Sequence, residues 1–265
     1  MPKICAFAGK GGVGKTTISG MLVRYLVEEA KDGPVLAVDA DPNSNLNEIL
    51  GTEVNITIGE ARELIKKEVP AGMAKETWFE MKVHEAIIES KGFDLLVMGR
   101  PEGTGCYCAA NSLAKKHIDF LKENYAYVVV DNEAGMEHMS RLVTQDVDHL
   151  FVVSDASARG LMTAQRILEL VRELNLNIAN THVIINRFRD KEGLGLAQLA
   201  EEKGIDVAGV IRYDGDIVEG DVRGYTVFSL DKKSVALQDA YRLFEKTLWG
   251  KEQGEWQRRS LVEQR

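Results

Sequence analysis

Gly9-Lys-Gly-Gly-Val-Gly-Lys-Thr-Thr17 comes directly after the apolar run Lys3–Ala8. The stretch satisfies G-x-x-x-x-G-K-[ST], in the place where that pattern has a physical meaning, between a strand and a helix. The glycines let backbone N–H groups converge on phosphates at a helix N-terminus. Lys15 is then placed to reach the β- and γ-phosphates, and the Thr16 hydroxyl to ligate Mg²⁺. Gly11, Gly12, Val13, Gly14, Lys15, Thr16 and Thr17 are therefore the expected nucleotide-binding residues. The expected ligand is a nucleoside triphosphate.

Outward from this loop, apolar runs of strand length alternate with segments of helical period. The expected strands are Lys3–Ala8, Val35–Asp39, Leu95–Gly99, Tyr127–Asp131, His149–Val153, Thr181–Asn186 and Val207–Val210. Several are continuous Val/Ile/Leu runs, as required when helices cover both faces of a parallel sheet. Helices are expected over Lys15–Ala30, Lys75–Glu89, Ala109–Glu123, Ser157–Leu174, Leu194–Lys203 and Val235–Leu248. The alternation predicts an α/β fold with a mostly parallel wound sheet flanked by helices. At 265 residues and 45% hydrophobic, the chain fits one domain over residues 1–250. Lys251–Arg265 carries Trp256 and nearly balanced charge. It is expected as a polar extension, because a membrane-surface helix needs a basic face opposite a broad apolar one.

The net charge of −8 argues against a nucleic-acid partner, since phosphate neutralisation requires a basic surface. No apolar run approaches the roughly 18 residues of a membrane span, and Met1–Ala8 lacks a cleavage-site pattern. A cytoplasmic protein without a membrane partner is expected. The chain has three cysteines, which cannot all pair, and a reducing compartment disfavours disulfides. Cys5 lies in the first strand and is expected in the core. Cys106 and Cys108 stand in Gly99-Arg-Pro-Glu-Gly-Thr-Gly-Cys-Tyr-Cys108, too rich in Gly and Pro for a helix interior or central strand. They read as thiols or metal ligands, or as two small apolar side chains in a buried loop.

Three further stretches end strands. These are Val38-Asp-Ala-Asp-Pro-Asn-Ser-Asn45, Val128-Val-Val-Asp-Asn-Glu-Ala-Gly135 and Ile184-Ile-Asn-Arg187. Each is compatible with an ordinary turn. Taken with Lys-Gly-Gly-Val-Gly-Lys-Thr-Thr17, they resemble the MinD/ParA/nitrogenase-iron-protein class of P-loop ATPases with a deviant Walker A motif. The resemblance implies Mg-dependent hydrolysis of ATP to ADP and phosphate in a homodimer, with Lys10 crossing the interface to the partner's nucleotide. It implies that Asp41 orients the attacking water and that Asp131 holds the Mg²⁺ shell. Gly135 would sense the γ-phosphate, and Asn186 with Arg187 would meet the adenine. Lys10, Lys15 and Asp41 are thus the expected catalytic residues.

Two thiolates on one loop supply half of a tetrahedral S₄ site. A twofold dimer brings residues near its axis against their own copies, so Cys106 and Cys108 of two chains could hold one metal, Ni²⁺ or Zn²⁺, which ligand softness alone does not separate. The segment from Met98 to Cys108, with the Lys10 loop before it and Asp131-Asn-Glu-Ala-Gly-Met-Glu-His138 after it, resembles the CooC-type nickel-insertion ATPases. That resemblance implies a metallochaperone whose client is carbon monoxide dehydrogenase or acetyl-CoA synthase. The nitrogenase reductase itself carries a cluster cysteine in its second switch, and Asp131–Gly135 has none. Two alternatives stand beside this reading: a MinD/ParA-like positioning ATPase, and an iron–sulfur cluster carrier holding a small cluster on the same thiolates. His138, near the second switch, is the one histidine placed to couple nucleotide state to a partner, with an incidental exposed residue as the alternative; the other histidines carry no signal.

Overall fold

The computed structural model describes residues 1–43, 45–65, 69–100, 121–133, 146–189 and 193–250. Its centre is built from the runs that lack alternation. Lys3–Gly9 (β1), Val35–Asp39 (β2) and Tyr127–Asp131 (β5) are buried at almost every position. Such strands can exist only with helices on both faces. They belong to an eight-stranded sheet of order β3-β4-β2-β5-β1-β6-β7-β8. Every neighbouring pair is parallel except the edge pair Ile87–Glu89 (β3) and Phe93–Val97 (β4). The other strands are Asp146–Asp155 (β6), Asn177–Phe188 (β7) and Val207–Arg212 (β8). The mostly parallel wound sheet read from the alternation is the observed one.

Two apolar layers cover the sheet. On one face Ala6, Val38, Val130 and Val152 pack with Phe79, Leu161 and Ile167. These last come from Lys75–Glu85 (α4) and Ala158–Glu173 (α5). On the other, Phe7, Ala37, Val129 and Phe151 pack with Met21 and Leu22 of Lys15–Tyr25 (α1), and with Ala240 and Phe244 of the closing helix Val235–Trp249 (α8). Ser234 starts α8 by accepting the N–H of Leu237 (3.2 Å), and Gly250 ends it in a left-handed conformation. Helix α1 continues through a π-helical turn, Leu26–Ala30. The expected helix Lys15–Ala30 is therefore present, with its last turn widened. Gly20 lets α1 approach the short helix Leu46–Leu50 (α2), because a Cβ there would lie 2.5 Å from the Ile49 side chain.

The structure corrects several boundaries. The expected helix Lys75–Glu89 stops at Glu85, and Ile87–Glu89 forms the antiparallel edge strand against Asp94–Leu96. Two β-branched residues and the following turn, with Gly92 at φ 93 and the Ser90 N–H bonded to the Phe93 carbonyl (3.0 Å), outweigh the helical period. Strand β4 begins at Phe93 rather than Leu95. Strands β6 and β7 run beyond the expected cores, and Ile58–Ile65 (α3) and Gly215–Arg223 (α7) were not anticipated. A further helix, Gly193–Glu202 (α6), matches the expected Leu194–Lys203. The expected helix Ala109–Glu123 lies mostly outside the described residues, and Lys122–Asn124 is a 3₁₀ turn. Cys5 is fully buried, and burial pushes its thiol up to about 12, so it is inert at neutral pH. Among the described residues no helix is long and apolar enough to cross a membrane.

From β1 the chain crosses to β2 on one side, and from β5 it crosses back to β6 on the other. The C-terminal ends of β1, β5 and β6 therefore face the crevice where crossover directions diverge, the place open α/β sheets reserve for ligands.

Candidate functional site

The loop leaving β1 is shaped by positions where only glycine fits. A Cβ on Gly9 (φ 152) would collide with the Val153 carbonyl of β6, and one on Gly14 (φ 91) with the Asn186 amide. Gly14 occupies the N-cap of α1 in a left-handed conformation, so the loop turns sharply and directs its N–H groups to the helix N-terminus. Lys10, Gly11 and Gly12 are exposed, whereas Val13 is buried. Lys15 is only 7% exposed, with its Nζ 3.4 Å from the Lys10 carbonyl oxygen. Burial lowers its pKa, and the carboxylates of Asp131, Asp41 and Glu133 oppose that shift.

Behind the lysine lie two buried acids. Asp39 ends β2 and Asp131 ends β5, and the two residues are in register across adjacent strands. The Asp39 carboxylate accepts the N–H groups of Asp41 (3.1 Å) and Leu46 (3.0 Å), closing both ends of the intervening loop. Burial pushes its pKa up to about 6 despite those bonds. Asp131 is 1% exposed, and among the described residues its Oδ1 has no hydrogen-bond partner. Burial raises its pKa to about 7, and the hydrogen bond with the Thr16 side chain works against the rise. An orphaned buried carboxylate oxygen beside a hydroxyl is a fitting donor set for Mg²⁺, a hard cation that takes oxygen ligands.

Asp41 stands where β2 gives way to the loop. Its Oδ1 accepts the Asn43 N–H (2.8 Å), and the Arg100 guanidinium in turn donates to Asn43 Oδ1. Next to Asp131, buried Asn132 donates to the Phe7 carbonyl of β1 (2.9 Å), tying β5 to the strand that carries the phosphate loop. Gly135 and His138 fall outside the described residues, as do Cys106 and Cys108.

Asn186 and Arg187 end β7 on the far side of the loop. The Asn186 Nδ2 donates to the Val13 carbonyl (2.8 Å), and Arg187, at φ 55, donates from Nη1 to the Gly12 carbonyl (3.1 Å). Both therefore brace the phosphate loop, a task the sequence did not disclose. For Asn186 this engages one of the amide's two hydrogen-bonding functions. The pair also lines a narrow cleft with Thr17 and Met21 on one wall and Arg212, Tyr213 and Asp214 on the other. The last three and Asp39 were not anticipated as site residues. The available signal was the position of Arg212-Tyr-Asp at the end of an apolar run, since ligands of wound sheets gather at carboxyl ends of strands.

The structure thus brings together Lys15, Thr16, Asp41 and Asp131, and it sets Asn186 and Arg187 against the loop backbone. A family model described as the CobQ/CobB/MinD/ParA nucleotide binding domain matches residues 4–227. An ATP-binding protein of Methanocaldococcus jannaschii is 42% identical over 250 residues, covering 92% of this chain and 98% of that protein. The carbon monoxide dehydrogenase accessory protein CooC of Rhodospirillum rubrum is 32% identical over 241 residues, covering 85% and 89%. Among solved structures, the septum site-determining protein MinD of Pyrococcus horikoshii in complex with Mg-ADP superposes with a TM-score of 0.71 at 22% identity, covering 93% of this chain and 96% of that one.

Proposed function

Because the chain belongs to the CobQ/CobB/MinD/ParA nucleotide-binding domain family and is an ATPase of the MinD/ParA class, we propose that it is a homodimeric metallochaperone that uses ATP hydrolysis to deliver nickel. The observation that carries the hydrolytic part is the orphaned Oδ1 of Asp131, beside the Thr16 hydroxyl and beneath Lys15. Thr16 and Asp131 would hold Mg²⁺, which supplies charge neutralisation for the phosphates. The N–H groups of Gly11–Thr17 and the Lys15 ammonium bind the β- and γ-phosphates. Lys10, exposed on the loop, would reach the nucleotide of the partner protomer. The cleft between Asn186 and Tyr213 takes the base.

In the chemical step a water attacks the γ-phosphorus in line, and the bond to the β–γ bridging oxygen breaks to leave ADP and phosphate. Asp41 orients that water, its loop being held by Asp39. Gly135 would report the γ-phosphate to the segment that follows it.

Nickel is cargo in this scheme. Cys106 and Cys108 from two protomers would form a four-thiolate site on the twofold axis, and hydrolysis would alter the dimer and release the metal to carbon monoxide dehydrogenase or acetyl-CoA synthase. Support comes from the Cys-x-Cys spacing and from the similarity to CooC. The test is an anaerobic titration of reduced, metal-free protein with Ni²⁺, with and without ATP, following thiolate-to-metal charge-transfer absorption and mass. One metal per dimer, lost in the Cys106→Ala/Cys108→Ala variant, supports the metallochaperone. ATP-dependent dimers without metal would instead favour a MinD-like positioning ATPase, and a brown iron–sulfur chromophore would favour a cluster carrier.

A further inference from the structure

Strand β8 ends at Arg212, and the next two residues form one wall of the cleft assigned above to the base. That wall is fastened to α8 at two points. The Arg212 guanidinium makes a bidentate pair with Asp239, Nε to Oδ2 at 2.7 Å and Nη2 to Oδ1 at 2.8 Å. The backbone N–H of Arg212 donates to the same Oδ2 at 3.2 Å. Asp239 is only 10% exposed at its side chain, so one largely hidden carboxylate holds both the main chain and the side chain of the last β8 residue. Two residues later, Asp214 Oδ2 accepts the Ser234 hydroxyl (2.7 Å) and the Ala236 N–H (3.3 Å) at the start of α8. Its Oδ1 accepts the Asp216 N–H (3.0 Å) that opens α7.

A planar guanidinium gripped by two parallel bonds has little freedom to rotate. The opposite wall is equally fastened, through Asn186 to the Val13 carbonyl. The width of the cleft is set by the β7–β8 ladder, in which the Tyr213 N–H donates to the Phe188 carbonyl (2.8 Å), together with two side-chain clamps, one to the phosphate loop and one to α8. We infer that Arg212, held by Asp239, is a positioning residue for nucleobase specificity. It fixes the Tyr213–Asp214 wall against the Asn186 wall, so that a purine is accepted by the geometry of its edge rather than by stacking alone. The inference rests on the base-pocket reading of the cleft. The clamp joins the end of β8 to α8, elements outside the phosphate loop and the Asp39–Asp131 pair, so its loss should act on binding of the base and leave the chemical step alone.

The experiment is steady-state ATPase and GTPase kinetics of the full chain in the wild type, Asp239→Asn, Arg212→Lys and Asn186→Ala, with a thermal melt of each. Asp239→Asn keeps the shape but loses the paired charge, and Arg212→Lys keeps the charge but cannot form the fork. Both are expected to raise the KM for ATP about tenfold with kcat unchanged, and to narrow the ATP/GTP preference by a similar factor. Arg212→Lys retains the main-chain bond to Asp239 and so serves if Asp239→Asn fails to fold. Lower melting temperatures with unchanged KM and unchanged ATP/GTP ratio would overturn the inference and leave the clamp merely structural. A wild type that does not distinguish ATP from GTP, and is indifferent to Asn186→Ala, would overturn the base-pocket reading beneath it.

Discussion

Asp39 and Asp131 sit side by side at the C-terminal ends of adjacent parallel strands, both buried, yet only one has its oxygens occupied. Asp39 accepts N–H bonds from Asp41 and Leu46, while Asp131 Oδ1 has no partner among the described residues. The two acids therefore differ in what they hold: Asp39 ties down the loop that carries Asp41, and Asp131 is the one the proposed function assigns to a cation. Asp39→Ala should strip the buried Leu46 N–H and the partly buried Asp41 N–H of their acceptor and cost about 2–3 kcal/mol of stability, read by denaturant unfolding. Asp131→Asn should do the reverse in metal-free protein, raising the melting temperature by removing a carboxylate that burial disfavours. It should also abolish the stabilisation that Mg-ATP confers on the wild type. A melting curve of Asp131→Asn that still responds fully to Mg-ATP would take Asp131 out of the Mg²⁺ shell.

Lys15 and Asp41 should separate binding from turnover. Lys15 is buried behind the loop with its charge directed among acids, so Lys15→Ala should lose about 100-fold in nucleotide affinity. Asp41→Asn should bind ATP normally and lose about 100-fold in kcat, the scale of a misplaced general-base or water-orienting group. Isothermal titration followed by single-turnover hydrolysis distinguishes them. Normal turnover in Asp41→Asn would assign the water to another residue.

Gly14 is a tight point of the phosphate loop, left-handed at φ 91 and pressed on the Asn186 amide. Gly14→Ala should force the loop away from β7 and break the Asn186–Val13 bond. A loss of at least about tenfold in ATP affinity, with little change in far-UV circular dichroism, is the expected outcome. Unaltered affinity would show that the loop rearranges on binding nucleotide.

Away from the site, His149 and His182 stack beneath α8 with Nδ1 and Nε2 3.0 Å apart. Burial lowers both pKa values, that of His182 to about 4, where the neighbouring His149 adds to the effect. A histidine whose pKa falls on folding contributes stability that is present above its unfolded value, about 6.5, and is lost as pH drops toward the folded value. This pair should therefore withdraw up to about 2 kcal/mol of stability between pH 6.5 and 4 once solvent screening is allowed for, against the opposite contribution of buried Asp39 and Asp131, whose pKa values are raised to about 6 and about 7. His182→Gln should flatten that part of the curve. An unchanged slope in chemical denaturation at pH 7, 6 and 5 would assign the acid sensitivity to other groups.

The amino-acid sequence by itself determined the phosphate loop and the wound parallel sheet. Both are local: Gly9–Thr17 needs only its own spacing, and a doubly covered strand such as Tyr127–Asp131 announces itself by the absence of alternation. The helical period over Lys75–Glu89 misled at its end, because whether Ile87–Glu89 continues a helix or joins an edge depends on the strand beside it. Only tertiary structure could set Asp39 beside Asp131, clamp Asn186 on the Val13 carbonyl, and pair Arg212 with Asp239. Each of these joins residues far apart in the chain. Register and burial, which no short window of sequence contains, decide both the contact and the electrostatic consequence of the contact.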